Sequence, residues 1–179
     1  MECGASHDAT ALLDAVERIY DNANAASPNL ADERARLYRG RIGLAVSSKN
    51  ADELLRYAQL AWDIETNRHR NMGHATSILA VAYNDLATAW ACHREWEKAI
   101  NRLKESKRIR ENLPGFTKDK LFSPLYHLGL VYSHQGKYDE AEVILNEAIQ
   151  DWEDAFGPDD ASSVRYVFLW RSRKSQGLY

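Results

Sequence analysis

The chain has 179 residues, of which 45% are apolar and 10% aromatic, with a formal net charge of −3. This is enough to fill the core of one domain, and it sets aside a chain too polar to fold. The faint acidity offers no global attraction to phosphate backbones or anionic membranes. The two cysteines, Cys3 and Cys92, are too few for a disulfide framework. No stretch approaches the ~18 uncharged apolar residues of a membrane span, and Met1 to Asp8 hold no apolar leader segment. The expected location is the cytoplasm, with the nucleus as the alternative.

In chain order, Leu12, Leu13, Val16, Ile19, Tyr20 and Ala23 fall at helical spacing and predict a leading helix within a flexible start, residues 1–28. Ser27-Pro28-Asn29 ends it. Residues 31–72 hold a first pair of helices, with Leu37, Leu44, Leu54, Leu55, Tyr57, Ala61, Trp62 and Ile64 on their apolar faces. A second pair occupies 74–114, turns at His93-Arg94 and stops at Leu113-Pro114-Gly115. The third spans 118–156, turns at Gln135-Gly136-Lys137 and ends at Gly157-Pro158. From 160 to 179 a last helix carries Val164, Val167, Phe168 and Trp170, and Gln176-Gly177-Leu178-Tyr179 resembles Gln135-Gly136-Lys137-Tyr138. That stretch reads as a cap or as half of a further pair. Its exposed Phe168 and Trp170 make a homodimer through it a further expectation.

These pairs echo one another. Gly73, Gly115 and Gly157 stand 42 residues apart, and the same shift lays Leu86 on Leu128, Trp90 on Tyr132, Trp96 on Tyr138, Ala99 on Ala141 and Leu103 on Leu145. Repetition at this length predicts an all-α stack of helical hairpins. In Leu125-x2-Leu128-Gly129-x2-Tyr132-x3-Gly136-x-Tyr138-x2-Ala141-x3-Leu145-x2-Ala148, small residues sit where two helices cross and large ones fill between them. On these residues the chain resembles the tetratricopeptide repeat family, and its 42-residue period resembles the long variant of kinesin light chains and of the repeat tails of nucleotide-binding receptors. The preceding copy, Tyr83 to Ser106, keeps the pattern with Arg94 in place of the turn glycine. In the first hairpin the same register puts Leu44-Ala45 at the Leu-Gly pair but Tyr57 at the close-packing alanine, so that crossing is expected to be wider or shifted. The resemblance implies a right-handed α-α superhelix.

Catalytic constellations are missing from the pattern. Gly136-Lys137 is a hairpin turn and not a phosphate loop, and there is no Gly-x-Ser-x-Gly, His-Glu-x-x-His or Cys-x-x-Cys. No enzyme activity, cofactor or metal is expected. His69, His74 and His93 beside Cys92 fit no compact tetrahedral metal site. Lys98, Arg102, Lys104, Lys107, Arg108 and Arg110 form a basic run whose plainer explanation is a solvated helix face, with RNA as the rival. The acidic helix that follows suggests electrostatic support along the outer face.

What the resemblance implies for function is a groove, lined by the first helices of successive hairpins, that takes an extended peptide or a partner's helix. Carried over residue by residue, its lining is Asn84 and Thr88, then Tyr126, Leu130 and Ser133, then Val167, Arg171 and Lys174, with His127 and His134 at the margin. Asn84 can donate and accept at once, Tyr126 and Leu130 offer an apolar anchor, and Arg171 and Lys174 a cationic end. Trp90, Trp96, Tyr132 and Tyr138 read as core. The lysine that chaperone-binding members use to hold a terminal carboxylate is missing. The expected role is a non-enzymatic scaffold or adaptor with a protein or peptide partner and no nucleic acid or membrane. The alternatives are an accessory protein of a metabolic pathway or a repeat fragment of a larger nucleotide-binding receptor.

Overall fold

The computed structural model describes residues 3–22 and 28–157. Among them are seven α-helices, one short 3-10 turn and no strand, an all-α helical repeat of the tetratricopeptide kind. Helix α1 (Cys3–Asn22) precedes three antiparallel pairs: α2 (Pro28–Ser47) with α3 (Ala51–Met72), α4 (Ser77–Cys92) with α5 (Trp96–Glu111), and α6 (Phe122–His134) with α7 (Tyr138–Phe156). The 3-10 turn, Lys118–Leu121, leads into α6. Each pair also packs on the next, α3 on α4 and α5 on α6, while α1 lies on α2. No helix of the described residues is long and apolar enough to cross a membrane. The expected last helix, 160–179, lies outside the described residues.

Local chemistry fixes the ends. The side chains of Asn50 and Thr76 accept the backbone N–H groups of Glu53 and Leu79, so α3 and α4 start on capped turns. Gly73 closes α3 at φ +74°, with its N–H on the His69 carbonyl. The three hairpin turns are the same turn. Asn50, Glu95 and Lys137 each donate a backbone N–H to the carbonyl five residues back, on Ala45, Trp90 and Tyr132. Within each turn one residue is left-handed: Lys49 at φ +55°, Arg94 at +59° and Gly136 at +78°.

That equivalence resets the register of the first hairpin. Lys49 and Arg94 are 45 residues apart, whereas Arg94 and Gly136 are 42 apart. The three additional residues lengthen α3, which has 22 residues against 19 in α7. The place of Leu128-Gly129 is therefore taken by Arg41-Ile42 instead of Leu44-Ala45, and the place of Ala141 by Leu54 instead of Tyr57. The crossing stays close by an exchange of bulk. Gly129 lies so near α7 that a Cβ on it would stand 2.4 Å from Leu145 Cγ. At the matching places the first hairpin has Ile42 and Ala58, both buried in one core cluster. Tyr57 is buried on a different errand: its hydroxyl donates to Glu17 Oε2 of α1 at 3.3 Å. Glu17 in turn accepts from buried Arg41 at 3.0 Å, and Arg41 also pairs with Asp14.

Candidate functional site

Between the second and third hairpins the inner helices α4 and α6 part to leave a cleft of about 370 Å³. Its walls are Ala87, Thr88 and Ala91 of α4 and His127, Leu130, Val131 and His134 of α6, with Leu103 of α5 among the lining residues. Small alanines on α4 make the room. At the hairpin turn Cys92 and Arg94 meet the rim, and Trp96, the first residue of α5, stacks on the His134 ring at 5.9 Å and 9°. A mostly apolar hollow with a few polar groups is the ordinary composition of a recognition site.

His127 is a half-buried polar group of this wall. Its Nδ1 lies 2.7 Å from the Ser123 carbonyl one turn earlier. A carbonyl only accepts, so Nδ1 carries the proton and Nε2 the lone pair. Burial holds the ring below the usual histidine range, and the backbone hydrogen bond opposes this only in part. The neutral ring thus offers the cleft an acceptor. Thr88 satisfies its own hydroxyl by donating to the Asn84 carbonyl at 3.0 Å.

The expected groove residues divide. Thr88, Leu130 and His134 line the cleft together. Asn84 is only 5% exposed, and its Nδ2 donates to Ser123 Oγ at 2.8 Å, so it ties α4 to α6. Ser133 is also buried. Tyr126 turns away from the cleft: it stacks on Phe122 at 5.8 Å and packs against Ala141 and Leu145 of α7. Val167, Arg171 and Lys174 lie outside the described residues, as do Phe168 and Trp170 of the expected dimer contact. Trp96, assigned to the core by pattern, belongs to both core and cleft. Cys92, Arg94 and the alanines of α4 escaped the sequence reading because a repeat pattern marks small residues as packing positions, whichever side of the helix they open.

The basic run on α5 is largely engaged. Lys98 sits 4.4 Å from the Trp90 ring centre, and Arg102 lies 4.9 Å from the centre of Trp62 and 5.8 Å from that of Tyr83. Arg108 pairs with Glu105 at 2.9 Å and Lys107 with Glu111 at 3.8 Å. These ion pairs run along α5 itself. Among the described residues no three His, Cys, Asp or Glu side chains come close enough to hold a metal ion. His93 instead places Nε2 3.1 Å from the Ala51 carbonyl, joining the turns of the first two hairpins.

Comparison with known families places a tetratricopeptide repeat at residues 125–162, a span that begins within α6 and covers all of α7. No curated protein matches the chain.

Proposed function

We propose that this chain, which carries a tetratricopeptide repeat, is a non-enzymatic scaffold or adaptor, and that it takes a peptide or helix of a partner protein in the cleft between α4 and α6. The observation that carries this reading is the cleft itself: 370 Å³, lined from three helices, apolar in its walls and polar at His127 and Arg94. Apolar anchors bury there, and the lone pair of His127 and the charge of Arg94 set orientation. Repeats of this kind present such surfaces because each hairpin exposes the face that its neighbour does not cover. The RNA reading loses ground on the pairing of Lys98, Arg102, Lys107 and Arg108 with rings and carboxylates. A cytoplasmic site of action remains part of the proposal.

The experiment is affinity capture with the whole chain beside Thr88→Arg/Leu130→Arg, which fills the cleft, after matched helicity and melting are shown. Partners held by the wild type and lost from the filled variant support the reading. Identical retrieval by both places binding on another face. A small metabolite bound by the wild type in place of any protein favours the pathway-accessory alternative.

A further inference from the structure

One joint further toward the N-terminus, between the first and second hairpins, the structure holds a different kind of space. A small chamber of about 10 Å³ lies among α2, α3 and α4, lined by Ala35, Arg39, Ala61, Glu65, Ile78, Ala82 and Asp85. Three alanines leave the gap and three charged residues face it. Glu65 is 2% exposed, and both of its carboxylate oxygens are buried with no hydrogen-bond partner. Arg68 Nη1 stands 3.5 Å from Oε2, and that guanidinium is also drawn to Asp32 of α2. A buried carboxylate left this bare is costly, and proteins resolve the cost by protonation or by an ordered water.

We propose that this chamber is a site for one ordered water and one proton, shared by Glu65 and Asp85 against Arg39, and that its occupancy governs how tightly the second hairpin seats on the first. The room fits: about 10 Å³ holds one water, and that water has polar neighbours on three helices. The charges fit as well. Arg39 from α2 is the one cation lining the chamber and Glu65 and Asp85 are its two anions, so one added proton makes the cluster neutral. Arg68, already drawn to Asp32, lies at the edge, and α5, which backs α4, supplies no residue to the lining. The proton comes from solvent and adds to one carboxylate oxygen. The resulting O–H is a donor where the buried oxygens of Glu65 had no hydrogen-bond partner.

Burial pushes the carboxyls of both Glu65 and Asp85 upward, Asp85 to about 6, while Arg39 pulls the other way. The proton is therefore taken up close to neutrality. When it leaves, the chamber holds an excess negative charge beneath alanine walls. The cheapest relief is for water to enter between α4 and the first hairpin, loosening the joint that sets the angle between neighbouring hairpins. This inference stands apart from the cleft reading, since it concerns the other joint.

The test follows the side-chain carboxyl carbons of Asp85 and Glu65 by NMR from pH 4 to 8 in the whole chain, with amide exchange of α4 read alongside. Asp85→Asn and Glu65→Gln imitate the protonated forms. The expected result is an Asp85 midpoint near 6 and α4 amides that exchange about tenfold faster at pH 8 than at pH 5, after correction for intrinsic rates. In Asp85→Asn that difference shrinks, and its melting temperature exceeds that of the wild type by more at pH 8 than at pH 5. A midpoint near 4, or the same pH dependence of α4 in wild type and Asp85→Asn, overturns the proposal. Should Asp85→Asn fold poorly, the wild-type carbon titration and the Glu65→Gln profile decide the matter in the same two directions.

Discussion

The joint between the first two hairpins and the joint between the last two are built by the same rule from opposite materials. Counted from their turns, Asp85 of α4 and His127 of α6 occupy the same place on successive inner helices. Asp85 closes a chamber with Arg39 and Glu65, and His127 opens onto an apolar cleft with Leu130 and Val131. The contrast extends into the hairpins. The third crosses through Gly129 against Leu145, while the first crosses through Ile42 and Ala58 and fastens α1 with Arg41, Glu17 and Tyr57. A repeat fold constrains the total volume at a crossing and leaves open which helix supplies it. It also leaves the chemistry of each joint free, so one is lined by charged side chains and alanines and its neighbour mostly by apolar ones.

The largest effect is expected from breaking this exchange of bulk. Gly129→Ile drives side-chain atoms into Leu145 and should cost about 3 kcal/mol or more in urea unfolding. Adding Leu145→Ala rebuilds the arrangement of the first hairpin. The double variant should recover at least about 1 kcal/mol relative to the summed singles. Additive losses would show that the two crossings are not interchangeable. Next in size, Arg41→Met takes the nearest cation from Glu17, which keeps the Tyr57 hydroxyl, and should cost about 2 kcal/mol, with the earliest loss of exchange protection in α1.

Titration sharpens the contrast between the joints, because their signs are opposed. Asp85 has its folded pKa raised from 3.8 to about 6, so the fold is penalised above about pH 6 and relieved as pH falls toward 4. The full relief is up to about 3 kcal/mol. His127 has its folded pKa lowered, so its contribution is complete above about pH 6.5 and is lost on acidification. Relative to wild type, Asp85→Asn should therefore become less stable from pH 7 to 5, and His127→Phe more stable over the same range, both read by thermal melts. Parallel profiles would remove the distinction. The smallest effect lies in the turns, where Lys49→Gly and Arg94→Gly relieve left-handed backbone and should each add about 0.5 kcal/mol.

Much of this architecture is legible in the residues alone. Gly73, Gly115 and Gly157 do adopt positive φ, and the turns at His93-Arg94 and at Gln135-Gly136-Lys137 stand where the punctuation predicts. The first hairpin is harder because its turn is made by Lys49, which carries no local signal, and because α3 is three residues longer than the period allows. Asn84 shows the limit for the site. A polar residue on an inner helix looks the same in sequence whether it faces a ligand or, as here, Ser123. The cleft is set by alanines on α4 and by where α6 stops covering them, which is a property of two helices together and not of either pattern.

The measurement that bears most directly on the cleft is site-specific photo-crosslinking in whole protein, with the reactive residue placed at Leu130 in the cleft or at exposed Val143 on α7. A captured partner should crosslink from position 130, lose that crosslink when Thr88→Arg fills the cleft, and crosslink weakly or not at all from position 143. Equal or stronger crosslinking from 143, unaffected by Thr88→Arg, would place binding on the outer face and contradict the account.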